Sequence, residues 1–220
     1  MSDQTNSTQL AVIGAGPGGY AAAFLAADLG MKVTLIDPEP NPGGVCLYRG
    51  CIPSKALLHA ARVLTEAREA ANWGIQFPEP KIDINKLRAW KDGVVKKLTG
   101  GLGQLSKQRA VTYVRGEAAL LSPKSLAIRS NQGAEQRLAF DHAILATGSR
   151  PASIPGVPAG SPRVLDSTSA LEIADVPKTL LVVGGGYIGL ELGTVYAALG
   201  TAVSRWARWS SRRRGDTARG

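Results

Sequence analysis

Two cysteines are separated by four residues in Cys46-Leu-Tyr-Arg-Gly-Cys51, a spacing that can close a small disulfide ring. Pro53 suits the first turn of a helix, so Cys51 is expected near a helix N-terminus, where the dipole favours a thiolate. A thiolate there can push electrons into a neighbouring ligand; the bland alternative is two buried free thiols in a reduced cytosol. What lies upstream argues for the ligand. Gly14, Gly16 and Gly19 form G-x-G-x-x-G, and Asp37 stands nine residues before Cys46. In this pattern Gly14 allows a tight turn, Gly16 lets the backbone approach a pyrophosphate, and Gly19 lets helix and strand pack closely. The helix N-terminus faces the phosphates, and Asp37 accepts from a ribose hydroxyl. The competing reading is a glycine-rich turn without a ligand. The residues alone leave FAD and NAD both open.

These residues need particular elements to hold them. Leu10–Ile13 is a short apolar run ended by glycines, Tyr20–Leu29 an alanine-rich helix closed by Gly30, and Lys32–Ile36 a second apolar run. That is a βαβ unit. Lys55–Ala71 reads as a helix, and Ile84, Leu87, Trp90, Val94, Leu98, Leu102 and Leu105 recur at helical spacing through a longer one. Val111–Val114, Glu117–Leu121, Ser125–Ile128 and Asp141–Ala146 read as strands of a small sheet beside the first. Pro151, Pro155, Pro158 and Pro162, mixed with Gly156 and Gly160, exclude helix and central strand and mark a domain boundary. Beyond them the opening pattern restarts, with Thr179–Val183 as a strand, a glycine-rich Gly184–Gly189 and a helix over Leu190–Leu199. The fold class is α/β: one Rossmann-like domain and the beginning of a second, each a place for a dinucleotide.

With 220 residues, 44% of them hydrophobic, the chain holds about one and a half domains. The formal net charge of +9 is concentrated, because residues 205–220 carry six arginines against Asp216 alone. The body is therefore only mildly basic and has few aromatics among its basic residues, which argues against nucleic-acid binding. Two cysteines are too few for a secreted disulfide scaffold, and the opening MSDQTNSTQ lacks a signal-peptide pattern, so a cytoplasmic location is expected. Leu10–Ala27 is uncharged and long enough to cross a membrane, but Gly14, Gly16, Pro17, Gly18 and Gly19 interrupt it. No membrane span and no metal site are assigned.

The segment GGVCLYRGCIPSKALLH, Gly43 to His59, resembles the active-disulfide segment of the flavoprotein disulfide reductases. The resemblance covers about residues 9–204 and includes ATGSRP from Ala146 and GGGYIGLELG from Gly184. CIPSKALL is most similar to the dihydrolipoamide-oxidising branch; glutathione and mercuric reductases share the layout and are the alternatives. The resemblance implies that residues 1–150 form an FAD-binding domain with a redox-active disulfide, 151–170 a linker and 171–204 part of an NAD-binding domain. It implies that Cys51 lies nearer the flavin as its charge-transfer partner while Cys46 exchanges with substrate. Lys55 would stand near the flavin ring, paired with Glu191 of the second unit. Thr147 and Gly148 would run beside FAD, and Gly184, Gly186 and Gly189 would receive NAD, with Tyr187 as a lid over the flavin. His59 is expected on a helix surface, outside the chemistry. Electrons would pass from dihydrolipoamide through the disulfide and FAD to NAD, making NADH. The implied partner is a lipoyl-bearing protein of a 2-oxoacid dehydrogenase or glycine cleavage complex, and full-length members are homodimers.

Two departures qualify this. Asp37 stands where the family more often has glutamate, and either carboxylate reaches a ribose. In the second unit the corresponding acid falls at position 207, where Ala207 stands, and Ser204-Arg205-Trp206-Ala207 has charge where a central parallel strand needs an apolar run. The expectation is that this strand is missing, so that Arg205 and Arg208 do not build a 2′-phosphate site. Residues 205–220 are then an aberrant basic tail, most simply a shifted reading frame. A chain lacking the rest of the NAD domain and the interface domain that supplies the family's His-Glu base is expected to be inactive, at most a nucleotide-binding fragment.

Overall fold

The computed structural model describes residues 6–152, 155–158 and 160–206. They separate into two compact units: the chain up to Ala56 with Asp83–Glu172, and Leu57–Ile82 with the chain from Ile173 onward.

In the first unit, β1 (Asn6–Ile13), helix α1 (Pro17–Asp28) and β2 (Val33–Asp37) form the expected βαβ unit. β1 and β2 pair in parallel, Ala11 opposite Thr34. Leu10–Ile13 of β1 and the whole of β2 are buried on both faces, as parallel strands covered on both sides should be. Leu10, Val12, Val33 and Leu35 pack with Ala23 and Ala26 of α1, while Ala11, Ile13 and Ile36 pack with Leu126, Ile128, Leu138 and Phe140 on the opposite face. The uncharged run Leu10–Ala27 is thus a strand, a turn and a helix, and no helix among the described residues is long and apolar enough to cross a membrane. After α2 (Gly44–Arg49) and α3 (Cys51–Glu69), the long helix α4 (Ile84–Gln108) covers the predicted span, but its buried residues are Lys91, Thr99 and Ser106, while Trp90, Leu98 and Leu105 of the predicted apolar stripe stay exposed.

The small sheet differs from expectation. Val111–Val114 and Glu117–Leu121 are not two strands but one, β3 (Thr112–Ser122), which pairs first with β2 and then, from Gly116, with β4 (Ser125–Ser130). Likewise β5 (Glu135–Leu145) pairs with β4 at its start and with β1 along the rest. The hydrogen bonding closes into a ring in the order β1–β2–β3–β4–β5. Gly116 permits the change of partner, since a side chain there would crowd the Arg129 carbonyl.

α5 (Ser167–Leu171) closes the proline-rich stretch. Its capping box is complete: Asp166 Oδ1 accepts from the Thr168 and Ser169 amides at 2.9 and 2.8 Å, and Ser169 Oγ accepts from the Asp166 amide at 2.9 Å. The Ser169 amide first, then the Ser169 hydroxyl, hold the Asp166 carboxyl below its ordinary range. A folded value below the unfolded one makes this contribution full above the unfolded pKa and lost as pH falls through the folded one. Asp166→Ala should therefore cost about 1 kcal/mol in urea unfolding at neutral pH, with the difference from the parent shrinking on acidification. A cost independent of pH would contradict this.

In the second unit, β6 (Thr179–Val183) has the predicted bounds, α6 spans Tyr187–Ala198 rather than starting at Leu190, and β7 (Ala202–Trp206) pairs in parallel with β6. The expectation of a missing strand is thereby corrected. Arg205 lies opposite Val182 and Trp206 opposite Val183, so two residues assigned to the tail belong to the sheet. β7 is largely exposed, and an exposed strand tolerates Ser204 and Arg205 where a doubly covered one would not. Position 207, Arg208 and the rest of the basic segment lie outside the described residues.

Candidate nucleotide and cysteine site

The first glycine turn joins β1 to α1. Gly14 has φ +96°, and its amide donates to the Ile36 carbonyl at 2.8 Å. A β-carbon on Gly14 would overlap the Ala146 carbonyl, and one on Gly19 would overlap the carbonyl of Gly14 itself. These glycines are needed because backbone meets backbone. Gly16 caps α1 without a side-chain hydrogen bond, and nothing stands within 4 Å of where a Gly18 side chain would project. The start of α1 therefore offers its first amides to an open space, which fits a pyrophosphate.

Asp37 ends β2 with 9% of its surface exposed. Its Oδ2 accepts from the Ala15 amide at 2.7 Å and its Oδ1 from the Glu39 amide at 3.0 Å. Each oxygen keeps a lone pair, so the carboxylate is oriented by the turn and still able to accept a ribose hydroxyl. On the other side of β1, the Ala146 amide donates to the Ile13 carbonyl at 2.8 Å, which lays Ala146–Thr147 against Gly14. Gly148 follows at φ +69°.

The chain returns from Asp37 to the turn at Gly43 and Gly44. The Gly43 amide donates to the Ala15 carbonyl at 2.8 Å, and a β-carbon on Gly44 would overlap Gly16. Cys46 sits in the helix that starts there, and Cys51 is the first residue of α3, as Pro53 foretold. The two thiols are hydrogen-bonded neighbours, and Lys55, one helical turn beyond Cys51, is close enough for its charge to act on Cys46. Burial first, and Cys51 second, push the Cys46 thiol above its ordinary value, with Lys55 opposing them. In the reduced chain, alkylation of Cys46 followed by peptide mass spectrometry should rise with a midpoint above that of a free thiol, and Lys55→Gln should move it higher. A midpoint at or below the free-thiol value would contradict the geometry.

Gly44, which abuts Gly16, was not among the sequence-predicted site residues, although the Gly-Gly pair before Cys46 is its signal. Tyr48, Arg49 and Tyr113 also border this site and carry no local pattern that would reveal them.

The second unit repeats the turn. Gly184 has φ +122° and donates its amide to Trp206 at 2.8 Å, Gly186 caps α6 without a side-chain bond, and Gly189 faces Val182 of β6. Tyr187 opens α6 with 72% of its surface exposed, and Glu191 lies one turn later. Glu191 and Lys55 fall in different units. His59 is exposed on α3, as expected.

Two glycine turns, a cysteine pair beside the first and the strand that follows the second are the layout of one known family, whose model, that of pyridine nucleotide-disulphide oxidoreductases, matches residues 8–209. The chain belongs to this family. Pyridine nucleotide-disulphide oxidoreductases use FAD and a pyridine nucleotide. Among curated relatives, the dihydrolipoyl dehydrogenase of Haemophilus influenzae is 52% identical over 196 residues, 89% of this chain and 41% of that protein. That of Vibrio parahaemolyticus is 50% identical over 195 residues, again 89% of this chain and 41% of the relative. That of Geobacillus stearothermophilus is 48% identical over 204 residues, 93% of this chain and 43% of the relative. The chain thus spans about two fifths of the length of the curated relatives it matches. As in other pyridine nucleotide-disulphide oxidoreductases, the mixed α/β fold is Rossmann-like.

Proposed function

We propose that this chain is the flavin- and disulfide-bearing portion of a dihydrolipoyl dehydrogenase, the enzyme that oxidises dihydrolipoamide with NAD to give lipoamide and NADH. The observation that carries the reading is the adjacency of the Cys46–Cys51 pair, hydrogen-bonded together, to the glycine turn through Gly43 and Gly44. The names of the relatives support the lipoamide branch over glutathione or mercuric reductase.

Gly14, Gly16 and Gly19 would hold the pyrophosphate of FAD and Asp37 a ribose, with Thr147, Gly148 and Lys55 beside the cofactor. Gly184, Gly186 and Gly189 would receive NAD, with Glu191 as the partner of Lys55. Residues 1–150 then make the FAD-binding domain, 151–170 the linker and 171–204 part of the NAD-binding domain. Bound FAD supplies the passage of an electron pair from the dithiol to NAD. The chain's own residues do the thiol chemistry. One substrate thiolate attacks Cys46 Sγ, the Cys46–Cys51 bond breaks, and the Cys51 sulfur leaves with the bonding pair. The second substrate thiolate then attacks the substrate sulfur attached to Cys46, closing the lipoamide disulfide and releasing Cys46 as a thiolate. Lys55, whose charge favours the anionic form of Cys46, eases that release. The partner would be a lipoyl-bearing protein of a 2-oxoacid dehydrogenase or glycine cleavage complex.

The test is anaerobic titration of the oxidised, FAD-supplemented chain with dihydrolipoamide while free thiols are counted at each cysteine. Appearance of both thiols at stoichiometric dihydrolipoamide is expected. A pair that cannot be oxidised to a disulfide, or that dihydrolipoamide leaves intact, would overturn the reading.

A further inference from the structure

The segment between the ribose acid and the cysteine helix, residues 38–43, contains Pro38, Pro40 and Pro42 and has no regular structure, yet elements on several sides hold it. Tyr113 on β3 donates its hydroxyl to the Glu39 carbonyl at 3.0 Å, and Asn131 donates to the Pro38 carbonyl at 2.8 Å. Arg49 pairs with the Glu39 carboxylate at 2.5 Å. The Tyr48 hydroxyl accepts from the Asn41 amide at 3.2 Å and donates to the Asn41 carbonyl at 3.1 Å, so it closes both backbone groups of one loop residue. Burial pushes the titration of the same hydroxyl up, and Thr99 of α4 stands with Tyr48 around Gly43. The Tyr48 ring lies over Gly43, whose amide is bonded to Ala15 in the nucleotide turn.

Two of these ties, Tyr48 and Arg49, come from the helix that carries Cys46. The Glu39–Arg49 pair is partly exposed, and such a pair by itself adds little. Its placement matters more than its strength, because the Glu39 amide bonds Asp37 while the Glu39 side chain bonds the cysteine helix. We propose that Tyr48 and Arg49 are positioning residues that couple occupancy of the Gly14–Asp37 nucleotide site to the thiol chemistry of Cys46 through the loop 38–43. The inference rests on the proposed function for the nucleotide site. It assigns to Tyr48 and Arg49 a role that neither the glycine turn nor the cysteine pair can perform alone: a ligand that orders Asp37 and Ala15 also orders the loop, and with it the helix bearing Cys46.

Adenosine diphosphate is the probe, because it presents a ribose and a pyrophosphate and lacks the flavin ring. The Cys46 alkylation rate in the reduced full-length chain is measured by peptide mass spectrometry with and without saturating adenosine diphosphate, and binding is followed separately by calorimetry. In the parent chain the nucleotide should change the rate about fivefold or more. Tyr48→Phe and Arg49→Ala should bring that ratio to within about twofold of one while still binding the nucleotide, and Arg49→Lys should restore most of it. Arg49 is partly exposed, so its variants keep the test decisive if Tyr48→Phe does not fold. An unchanged ratio in variants that bind the nucleotide would overturn the coupling and leave the proposed function standing. Failure of the parent chain to bind either adenosine diphosphate or FAD would overturn both.

Discussion

If the proposed function holds, serine in place of Cys46 should abolish dihydrolipoamide-dependent reduction of the protein while FAD binding persists. The hydroxyl has the thiol's shape but cannot form the covalent bond on which exchange depends, so the loss is on the order of a thousandfold or more. Cys46 is half-buried in a six-residue helix, and its bond to Cys51 is one that serine can keep, so the fold tolerates the change. Cys51→Ser should abolish reduction as completely, since the pair exchanges as a unit. Stopped-flow mixing with dihydrolipoamide, read by thiol counting, measures both variants. Residual reduction within tenfold of the parent in either one would place the exchange elsewhere.

Alanine at Gly14 has the second large effect, this time on the fold. The residue would take a positive φ, which costs a non-glycine residue about 1–2 kcal/mol, and its methyl would overlap the Ala146 carbonyl. Neither the turn nor the Ile13–Ala146 hydrogen bond could stay in place, so a loss of at least about 3 kcal/mol is expected, with nucleotide binding lost as well. Gly18→Ala is the internal control. Its methyl meets nothing within 4 Å and it lies inside α1, so it should be neutral or gain about 0.5–1 kcal/mol in urea unfolding without nucleotide. Equal destabilisation by the two variants would show that helix composition, and not backbone contact, governs this turn.

The glycine turns were legible because their spacing is read along the chain between a strand and a helix, the same at Gly14–Gly19 and Gly184–Gly189, although the backbone that crowds Gly14 comes from distant Ala146. Thr179–Val183 was legible for the same reason, an apolar run bounded by a charge and glycines. The continuity of β3 was not, because Gly116 looks like a break in the chain while it is a change of hydrogen-bonding partner within one strand. β7 was missed because the burial that a central parallel strand needs was assumed; the backbone ladder with β6 forms although Ser204 and Arg205 are polar. In the site, Cys46 and Cys51 could be grouped from their spacing, whereas Lys55 joined them only through the resemblance of the segment Gly43 to His59. Tyr113 could not be placed, because it reaches Glu39 across 74 residues of sequence, and only the pairing of β2 with β3 brings them together.

In the proposed function, the turn at Gly14–Gly19, with Asp37, holds a flavin next to the cysteine pair. The purified 220-residue chain, incubated with FAD and passed through a desalting column, is examined by visible absorption before and after reduction of the cysteines. Flavin bands that stay with the protein are expected, with a new long-wavelength absorbance on reduction that is absent from Cys51→Ser. A folded chain that leaves the column colourless would contradict the proposed function.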